Sequence, residues 1–522
     1  MASFASSREA DLLVLGSGIA AMLLAERALE RGRRVLLVER GTAIPFADRL
    51  RRGAHTDPLP FNRAPHVVPA AGGRDAYYVH PVYNVGGTTS LFFGNMPRIH
   101  PAHFEAGPFG GASRRWPLRY ADLEPYYLQA ERRLGVSGDS AHTPFPGRFD
   151  YPLPPHRLSP MDRACRDVFG AEHVMAVPTV RPTRPVGGRP ACCGSNHCGL
   201  CPVDAKGTAL NTVFPAIRER VELATGLLAE EVRCARGRVD HVVARDAEGR
   251  KHRLAGRQVV VACNGIDSCM LLLRSPEVPR HAALGRYYMD HATFSLAAYG
   301  TGLPTRPGLA DSAQTGTITR FFEKTGDDLP VSLLGAAKSA DVVGDAGGAE
   351  RARIVPDLFR LAAEGRLSRA ATLRERVKEV WDSLLVVRFL VETQPRAENR
   401  VEIARIAPSG QPIPRVVLDY PAYLEACIAR VTEVMRKALP RADVRFVRRD
   451  PGAQHWLGAT RMSEREEDGC VDRDLRWHGL AGLYVLSGSV FPGSSSANPT
   501  LTIAALALRL GDRLGAGTPS GL

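Results

Sequence analysis

A β-α-β unit near the N-terminus constrains the fold of this chain more than any other segment. Residues 11–41 read DLLVLGSGIAAMLLAERALERGRRVLLVERG, which describes a buried strand, a glycine-rich turn, an amphipathic helix and a second buried strand. Gly16, Gly18 and Ala21 fit the G-x-G-x-x-G/A pattern, in which a helix N-terminus approaches a pyrophosphate. Glu39 ends the second strand, where a carboxylate accepts hydrogen bonds from a ribose. The unit therefore predicts a Rossmann-like sheet that binds a dinucleotide.

A second glycine-rich loop lies at 482–510, in GLYVLSGSVFPGSSSANPTLTIAALALRL. A short apolar strand precedes this loop and a largely buried helix follows it. We expect Asn498 to cap the helix and Pro499 to occupy its first turn, at an N-terminus that favours negative charge. His455 stands upstream in HWLGATRM, and its imidazole can accept a proton near neutral pH. Together these residues predict a site that holds a group developing negative charge beside a proton acceptor.

The composition limits the range of partners. The chain has 522 residues, which is enough for two domains, and a net charge of +13 that comes almost wholly from arginine. Because no dense basic run is interleaved with aromatic residues, we predict no nucleic-acid partner. The sequence opens without a hydrophobic leader, and apolar runs such as LLVVRFLV are too short to cross a bilayer. We therefore expect no transmembrane segment and a cytoplasmic location, while export with a partner subunit stays open.

Two further regions bear on the architecture. The motif NVGGTTS contains Gly86, Gly87 and Thr88, and it predicts another loop that exposes its backbone. Residues 291–450 break the alternation of strands and helices seen elsewhere, because they mix strands such as LLVVRFLVET with isolated helical segments. This region is interpreted as most of a second domain, on the substrate side.

In this order the segments resemble those of the glucose–methanol–choline (GMC) oxidoreductases, a family of FAD-dependent flavoproteins that oxidise alcohols. The resemblance covers nearly the whole chain, and it is greatest for the bacterial branch that contains FAD-dependent sugar and polyol dehydrogenases. It rests on GSGIAA with Glu39, VGGTTS, WPLRYADLEPYY, VVVACNGIDSCMLLLRS, LGRYYMDH, ETQPRAENRVEI, HWLGATRM and the C-terminal VLSGSVFPGSSSANPTLTIAALAL.

The resemblance implies an α/β fold with two domains. A discontinuous Rossmann-like FAD-binding domain is expected from residues 1–105, 190–290 and 451–522. An α+β substrate-binding domain with an antiparallel sheet is expected from residues 106–189 and 291–450.

The resemblance also implies roles for individual residues. It makes His455 the catalytic base and Asn498 its companion, and it brings the backbone near Leu228 or Ala229 to the adenine. Cofactor contacts are implied for Gly16, Gly18, Ala21, Glu39, Gly86, Gly87, Thr88, Gly488, Ser489, Asn498 and Pro499. Some relatives bind FAD covalently through a histidine at the position of Leu91, which cannot form that bond. We therefore expect non-covalent FAD.

A cluster of cysteines in ACCGSNHCGLCPVDAKGT allows several interpretations. Its members are Cys192, Cys193, Cys198 and Cys201. Bacterial FAD-dependent glucose dehydrogenases are similar in having cysteines here that ligate an iron–sulfur cluster, although three residues separate the last two there and two residues separate them here. A loop without metal, a zinc site and a local disulfide are the alternatives.

The resemblance implies an enzyme that oxidises a CH–OH group of a sugar, glycoside or cyclitol to a carbonyl. His455 would take the hydroxyl proton while hydride passes to flavin N5. Oxygen, a quinone or a partner protein would accept the electrons. The alternatives are oxidation of apolar alcohols or sterols, a non-redox reaction similar to that of hydroxynitrile lyases, and a role as the large subunit of an electron-transfer complex.

Overall fold

The structure is a computed structural model. It describes residues 10–52, 68–69, 81–105, 115–143, 146–195, 198–299, 315–319, 333–338, 363, 384–419, 421–450 and 452–515. The arginine-rich sequence at 357–383 predicts a helix, and that prediction falls almost wholly outside the described residues. The expected lack of a leader sequence also concerns residues outside this part of the chain.

The strands and helices are numbered in chain order. The described strands are β1 (Ala10–Leu15), β2 (Val35–Glu39), β3 (Val68–Pro69), β4 (Val174–Ala176), β5 (Glu222–Thr225), β6 (Leu228–Ala235), β7 (Arg238–Arg245), β8 (Lys251–Leu254), β9 (Gly256–Val261), β10 (Ala292–Tyr299), β11 (Gly316–Ile318), β12 (Leu333–Lys338), β13 (Leu384–Val391), β14 (Arg400–Ile406), β15 (Pro412–Val417), β16 (Asp443–Asp450) and β17 (Leu483–Val485). The described α-helices are α1 (Ile19–Glu30), α2 (Phe46–Arg52), α3 (Ala102–Glu105), α4 (Tyr120–Leu134), α5 (Pro160–Phe169), α6 (Phe214–Ile217), α7 (Asn264–Leu273), α8 (Pro421–Ala438) and α9 (Thr500–Gly515).

A five-stranded parallel sheet contains strands from both ends of the chain. Its order is β17-β9-β1-β2-β5, and every pair of neighbours is parallel. β1 and β2 are apolar and buried, as expected for strands covered on both faces. Helix α1 packs against α9, and α9 packs in turn against α4. The Rossmann-like sheet predicted from the N-terminal unit is confirmed.

The turn between β1 and α1 requires glycine. Gly16 has a φ of +107°, and a Cβ atom there would lie 2.5 Å from the carbonyl oxygen of Ala262. That distance is far below van der Waals contact, so a side chain at this position would push apart the ends of β1 and β9. The close approach brings the loops that follow these two strands together at one edge of the sheet.

The other large sheet is antiparallel and has the order β16-β10-β13-β12-β11-β4. One face of β10 carries Ala292, Phe294, Leu296 and Ala298, which pack with residues of α5 and α8 in one apolar core. Side chains alternate along a strand, so Thr293 and Ser295 lie on the opposite face. The expected antiparallel sheet is confirmed, while the domain boundaries remain a prediction.

Candidate active site

A cavity of about 460 Å³ lies at the edge of the parallel sheet and extends to the C-terminal glycine-rich loop. The residues of predicted function that line it are Gly16, Gly18, Glu39, Gly87, Thr88, Leu228, Ala229, His455, Gly488, Asn498 and Pro499. Its volume lies within the ordinary range for sites that bind small molecules and cofactors. Segments separated by more than 400 residues in the sequence thus share one cavity wall.

Three other residues with an implied cofactor contact do not line this cavity. Ala21 is buried inside α1. Gly86 supports the wall, because its backbone N–H donates to the carbonyl oxygen of Ser17 at 3.1 Å. The hydroxyl of Ser489 is hydrogen-bonded to that of Thr460 at 2.6 Å. A cofactor contact for these three residues stays a prediction.

Glu39 is held at the cavity edge by three hydrogen bonds. Its Oε2 accepts from the backbone N–H and the hydroxyl of Ser17, at 3.1 and 2.7 Å, and its Oε1 accepts from the Gly41 N–H at 2.9 Å. Burial raises the pKa of this carboxyl, and the hydrogen bonds oppose that rise. The residue is thus a pre-positioned acceptor beside the glycine-rich turn.

His455 and Asn498 are in direct contact, and a second imidazole completes the group. Asn498 Nδ2 donates to His455 Nε2 at 3.2 Å, and His455 Nδ1 lies 2.7 Å from His291 Nδ1. Because Nε2 accepts, it carries a lone pair and the ring proton sits on Nδ1, which donates to His291. This arrangement holds His455 in the tautomer whose basic nitrogen faces Asn498.

The backbone around His455 is organised by one buried carboxylate. Asp290 accepts three hydrogen bonds: its Oδ1 from the N–H groups of Ala453 and His455, at 3.0 and 2.8 Å, and its Oδ2 from that of Gln454 at 3.1 Å. Gln454 has a φ of +64°, a conformation that non-glycine residues rarely adopt. The carboxylate compensates for this strain and sets the direction in which His455 leaves the chain.

Neighbouring glycines bring the same segment close to two other loops. A Cβ atom on Gly265, in α7, would lie 2.2 Å from the carbonyl oxygen of Trp456, and one on Gly488 would lie 2.6 Å from it. Both positions therefore exclude side chains by close packing. The His455 segment is wedged between α7 and the loop after β17.

The surroundings of His455 and His291 keep both imidazoles uncharged. Burial, together with the positive charge of Arg388, lowers the pKa of His455 to about 4. Burial and the neighbouring His455 hold the pKa of His291 well below its ordinary value, and the backbone of Ser495 partly opposes this effect. Both imidazoles are therefore uncharged at neutral pH, and His455 can accept a proton.

The helix after the glycine-rich loop begins later than the sequence indicates. Helix α9 starts at Thr500, and the carbonyl oxygen of Pro499 accepts the N–H of Ile503 at 3.0 Å, which makes Pro499 the capping residue. The expectation that Asn498 caps this helix is therefore wrong. Its amide is directed to His455 instead, while Thr500 lines the cavity at the helix N-terminus.

Sequence reasoning missed Asp290, His291 and Arg388 as site residues. The first two lie in LGRYYMDH, directly before β10, where the sequence marks them only as part of a family motif. An acid followed by an imidazole at the start of a strand is a signal, but nothing local shows that it reaches His455. Arg388 lies inside an apolar strand, where its charge is the only local signal.

The structure does not assemble the cysteine cluster into a metal site. Within the described part of the chain, which excludes residues 196 and 197, no three His, Cys, Asp or Glu side chains form a group that could hold a metal ion. Cys198 is buried and accepts a weak contact from Arg181 Nη1 at 3.8 Å, and none of the ten cysteines is in a disulfide. These residues do not fit an iron–sulfur cluster or zinc as they are placed.

The loop that carries these cysteines is tied to the cavity wall by one buried lysine. Lys206 Nζ donates to the carbonyl oxygens of Ser90 and Phe92, at 3.0 and 2.7 Å. Phe92 lines the cavity together with Leu91 and Phe93. The contact gives the loop a structural role.

None of the described helices is both long and apolar enough to cross a bilayer.

Several known proteins resemble this chain in sequence and in fold. Two family models described as GMC oxidoreductase match residues 165–293 and 395–507. The fructose dehydrogenase large subunit of Gluconobacter japonicus is 26% identical, over 97% of this chain and 97% of its own length. The 6'''-hydroxyparomomycin C oxidase of Streptomyces lividus is 29% identical, over 96% and 90%. The crystal structure of pyridoxine 4-oxidase from Mesorbium loti has a TM-score of 0.65 at 18% identity and covers 97% of this chain and 99% of its own.

Proposed function

The chain belongs to the GMC oxidoreductases, as its motifs predict, and we propose that it uses FAD to oxidise a CH–OH group of a sugar, glycoside or cyclitol to a carbonyl. The observation that carries the proposal is the contact between His455 and Asn498 on the wall of the cavity. A neutral base can remove a hydroxyl proton, and an amide donor beside it can hold the hydroxyl oxygen.

The residues of the cavity fit FAD. Gly18 faces open space, because a Cβ atom there would meet nothing within 4 Å, so the backbone before α1 can approach a pyrophosphate. Glu39 would accept from the adenosine ribose, and Leu228 and Ala229 would contact the adenine. Leu91 lines the cavity and has no nucleophilic atom, which supports non-covalent binding. When bound, FAD supplies the hydride acceptor.

His455 would act as the base. Its Nε2 accepts from Asn498 Nδ2 at 3.2 Å. A substrate hydroxyl that takes the place of this hydrogen bond would donate to Nε2 and accept from Nδ2. Removal of the hydroxyl proton by Nε2 promotes loss of hydride from the carbinol carbon. His291 Nδ1 continues to accept from His455 Nδ1, so the imidazolium forms without turning its ring.

The N-terminus of α9 would stabilise negative charge in the cavity. Its first residue, Thr500, lines the cavity, so unpaired backbone N–H groups and the positive end of the helix dipole are near it. Negative charge that accumulates on the reduced cofactor ring would be stabilised there.

The choice of a sugar-like substrate rests on the relatives, one of which is named for fructose. Oxygen, a quinone or a partner protein would reoxidise the enzyme. Oxidation of apolar alcohols and cleavage of cyanohydrins are the competing outcomes, because a histidine base beside a flavin cavity also suits these reactions.

An anaerobic flavin-reduction screen tests the proposal. Fructose, methyl glucoside, myo-inositol, octanol and mandelonitrile are mixed with the holoenzyme, and flavin absorbance is followed. We expect bleaching by at least one polyol, and His455→Ala should retain FAD while slowing bleaching by about 10²–10⁴-fold. The control is His252→Ala, since this histidine pairs with Asp246 in the β6-β7-β8 sheet. Bleaching by octanol alone would contradict a sugar-like substrate and indicate an apolar alcohol. Cleavage of mandelonitrile without bleaching would contradict a redox function.

A further inference from the structure

The residue that precedes the base has an unusual backbone conformation. Gln454 has a φ of +64°, in the left-handed region that glycine adopts without strain and a residue with a side chain adopts at a cost. Its N–H and those of Ala453 and His455 all donate to Asp290, so a buried carboxylate holds the chain in this conformation. A strained residue that is not glycine, on the wall of a cavity, indicates a function for its side chain.

The left-handed turn brings two consecutive residues to the same cavity. Consecutive side chains point to opposite faces of an extended strand. Gln454 and His455 are both half-buried and both line the cavity, because the positive φ at Gln454 interrupts the extended backbone. Asn498 lines the cavity as well and donates to His455 Nε2 at 3.2 Å. The base therefore has one amide next to it through a hydrogen bond and a second through the chain.

The cavity is uncharged where these residues line it. Among the described lining residues at 453–456 and 498–503, none is Asp, Glu, Lys or Arg. The charged residues of the lining come from the ends of β2 and α7, on the nucleotide side, and they are Glu39, Arg40, Asp267 and Arg274. A ligand bound beside the base therefore meets amides and an uncharged imidazole, which are partners for hydroxyl groups.

Amide chemistry defines what Gln454 recognises. The carbonyl oxygen of an amide accepts and its NH₂ group donates, so one side chain makes several hydrogen bonds and binds a hydroxyl as donor or as acceptor. His455 and Asn498 would engage the hydroxyl that is oxidised. The amide one residue before the base is then placed to bind the hydroxyl on the neighbouring carbon. A site that hydrogen-bonds a substrate hydroxyl discriminates against the analogue that lacks it, because polar groups of the site are then left unpaired.

We propose that Gln454 is a specificity-determining residue that binds the hydroxyl next to the oxidised CH–OH group and so selects uncharged vicinal diols. The inference rests on the proposed function, because it places the oxidised hydroxyl at His455 and Asn498. It narrows the substrate class to polyols in which two neighbouring carbons each carry a free hydroxyl.

Two ligands that differ by one hydroxyl test the inference. The vicinal trans-cyclohexanediol and cyclohexanol are titrated into the oxidised holoenzyme, and binding is followed by the change in flavin absorbance. We expect wild type to bind the diol more tightly, and Gln454→Ala to lower the ratio of the two affinities by about five-fold or more, as for the loss of one hydrogen bond. No binding of the diol to wild type, or an unchanged ratio in Gln454→Ala, would overturn the inference.

A second variant separates the amide from the backbone strain. Gln454→Gly removes the same amide and also relieves the strain, so it should unfold at a higher denaturant concentration than Gln454→Ala and show the same affinity ratio. A ratio restored to the wild-type value in Gln454→Gly would mean that the backbone, and not the amide, sets the preference. Arg236→Ala is the matched control, because Arg236 also has a positive φ, +52°, but is exposed between β6 and β7 and does not line the cavity. Its ratio should equal that of wild type.

The binding ratio and the flavin-reduction screen fail independently. Binding to the oxidised enzyme requires no turnover, so the ratio is measured whether or not a polyol reduces the flavin. A screen in which no polyol bleaches the flavin contradicts the proposed function. Bleaching by a polyol, together with a ratio that does not depend on Gln454, overturns the role of Gln454 alone.

Discussion

The two sides of the cavity are built in different ways. On the nucleotide side, the wall is mainly backbone brought close by glycine, as at Gly16, where a Cβ atom would lie 2.5 Å from the Ala262 oxygen. On the side of the antiparallel sheet, the wall includes the side chain of His455. His291, which contacts His455, and Arg388, whose charge acts on it, come from distant segments behind this wall. Substitutions that add atoms should therefore disturb the first wall, and substitutions that remove side-chain atoms should disturb the second.

The largest effect is expected from adding a side chain to the backbone wall. Gly16→Val places atoms against the Ala262 carbonyl at a φ of +107°, which is unfavourable for any β-branched residue. We expect loss of bound FAD and destabilisation by more than about 3 kcal/mol, measured by the ratio of flavin to protein and by denaturant unfolding. Gly32→Ala is the control, because Gly32 also has a positive φ, +72°, but a Cβ atom there would meet nothing within 4 Å. Full flavin content in Gly16→Val would show that this wall tolerates side chains.

The side-chain wall should respond to deletion with FAD still bound. His291→Ala removes the acceptor that fixes the tautomer of His455, and we expect flavin reduction to slow by about 10–100-fold, by analogy with the loss of the partner that orients a metal-bound histidine. His291→Asn keeps an acceptor near the position of Nδ1 and should recover much of the rate. Equal losses in both variants, with an unchanged pH profile, would indicate a packing role only.

The positive charge of Arg388 affects how flavin reduction depends on pH. With the pKa of His455 lowered to about 4, wild-type flavin reduction should keep its rate down to about pH 5 and fall below pH 4, as the base becomes protonated. Arg388→Met removes a positive charge, so the imidazolium is stabilised, the pKa of His455 rises and the acid limb moves to higher pH. The profile is read from stopped-flow flavin reduction, and an acid limb that stays in place would contradict the electrostatic role of Arg388.

The same shift of the His455 pKa has a consequence for stability. The pKa in the folded chain lies below the unfolded value of about 6.5, so the unfolded chain binds the proton first as the pH falls. The contribution is fully present above about pH 6.5 and is lost between there and about pH 4. His455→Ala should remove this part of the pH dependence of unfolding.

The contrast between the walls also explains what the sequence could predict. The β1-α1-β2 unit is local, and its turn, helix and acid follow from a short stretch, so the sheet and the placement of Gly16, Gly18 and Glu39 could be predicted. The sequence places the start of α9 too early, because the Asn498 amide bonds His455, 43 residues away, instead of the helix. Local capping preferences cannot include a tertiary partner of this kind.

Asp290, His291 and Arg388 show where sequence reasoning stops. Their roles depend on the register of β10 and β13, and these strands are separated by a long segment of which the structure describes only short parts. Strand pairing over such a distance is set by the global topology and not by neighbours in the sequence. The family motif identifies the segment around Asp290 and His291, but only the ladder brings Arg388 to them.

The smallest expected effect tests whether the backbone wall depends on side chains at all. Ser17→Ala deletes the hydroxyl that donates to Glu39 Oε2 at 2.7 Å, but the N–H groups of Ser17 and Gly41 still hold the carboxylate at 3.1 and 2.9 Å. A hydrogen bond to a carboxylate contributes about 1.5 kcal/mol net at the lower end of its range, so FAD should bind about ten-fold more weakly, by equilibrium dialysis against free flavin. Flavin reduction at saturating FAD should be unchanged, since His455 and Asn498 are untouched. A loss of FAD as complete as in Gly16→Val would mean that the side chain of Ser17, as well as the backbone, positions the ribose acceptor.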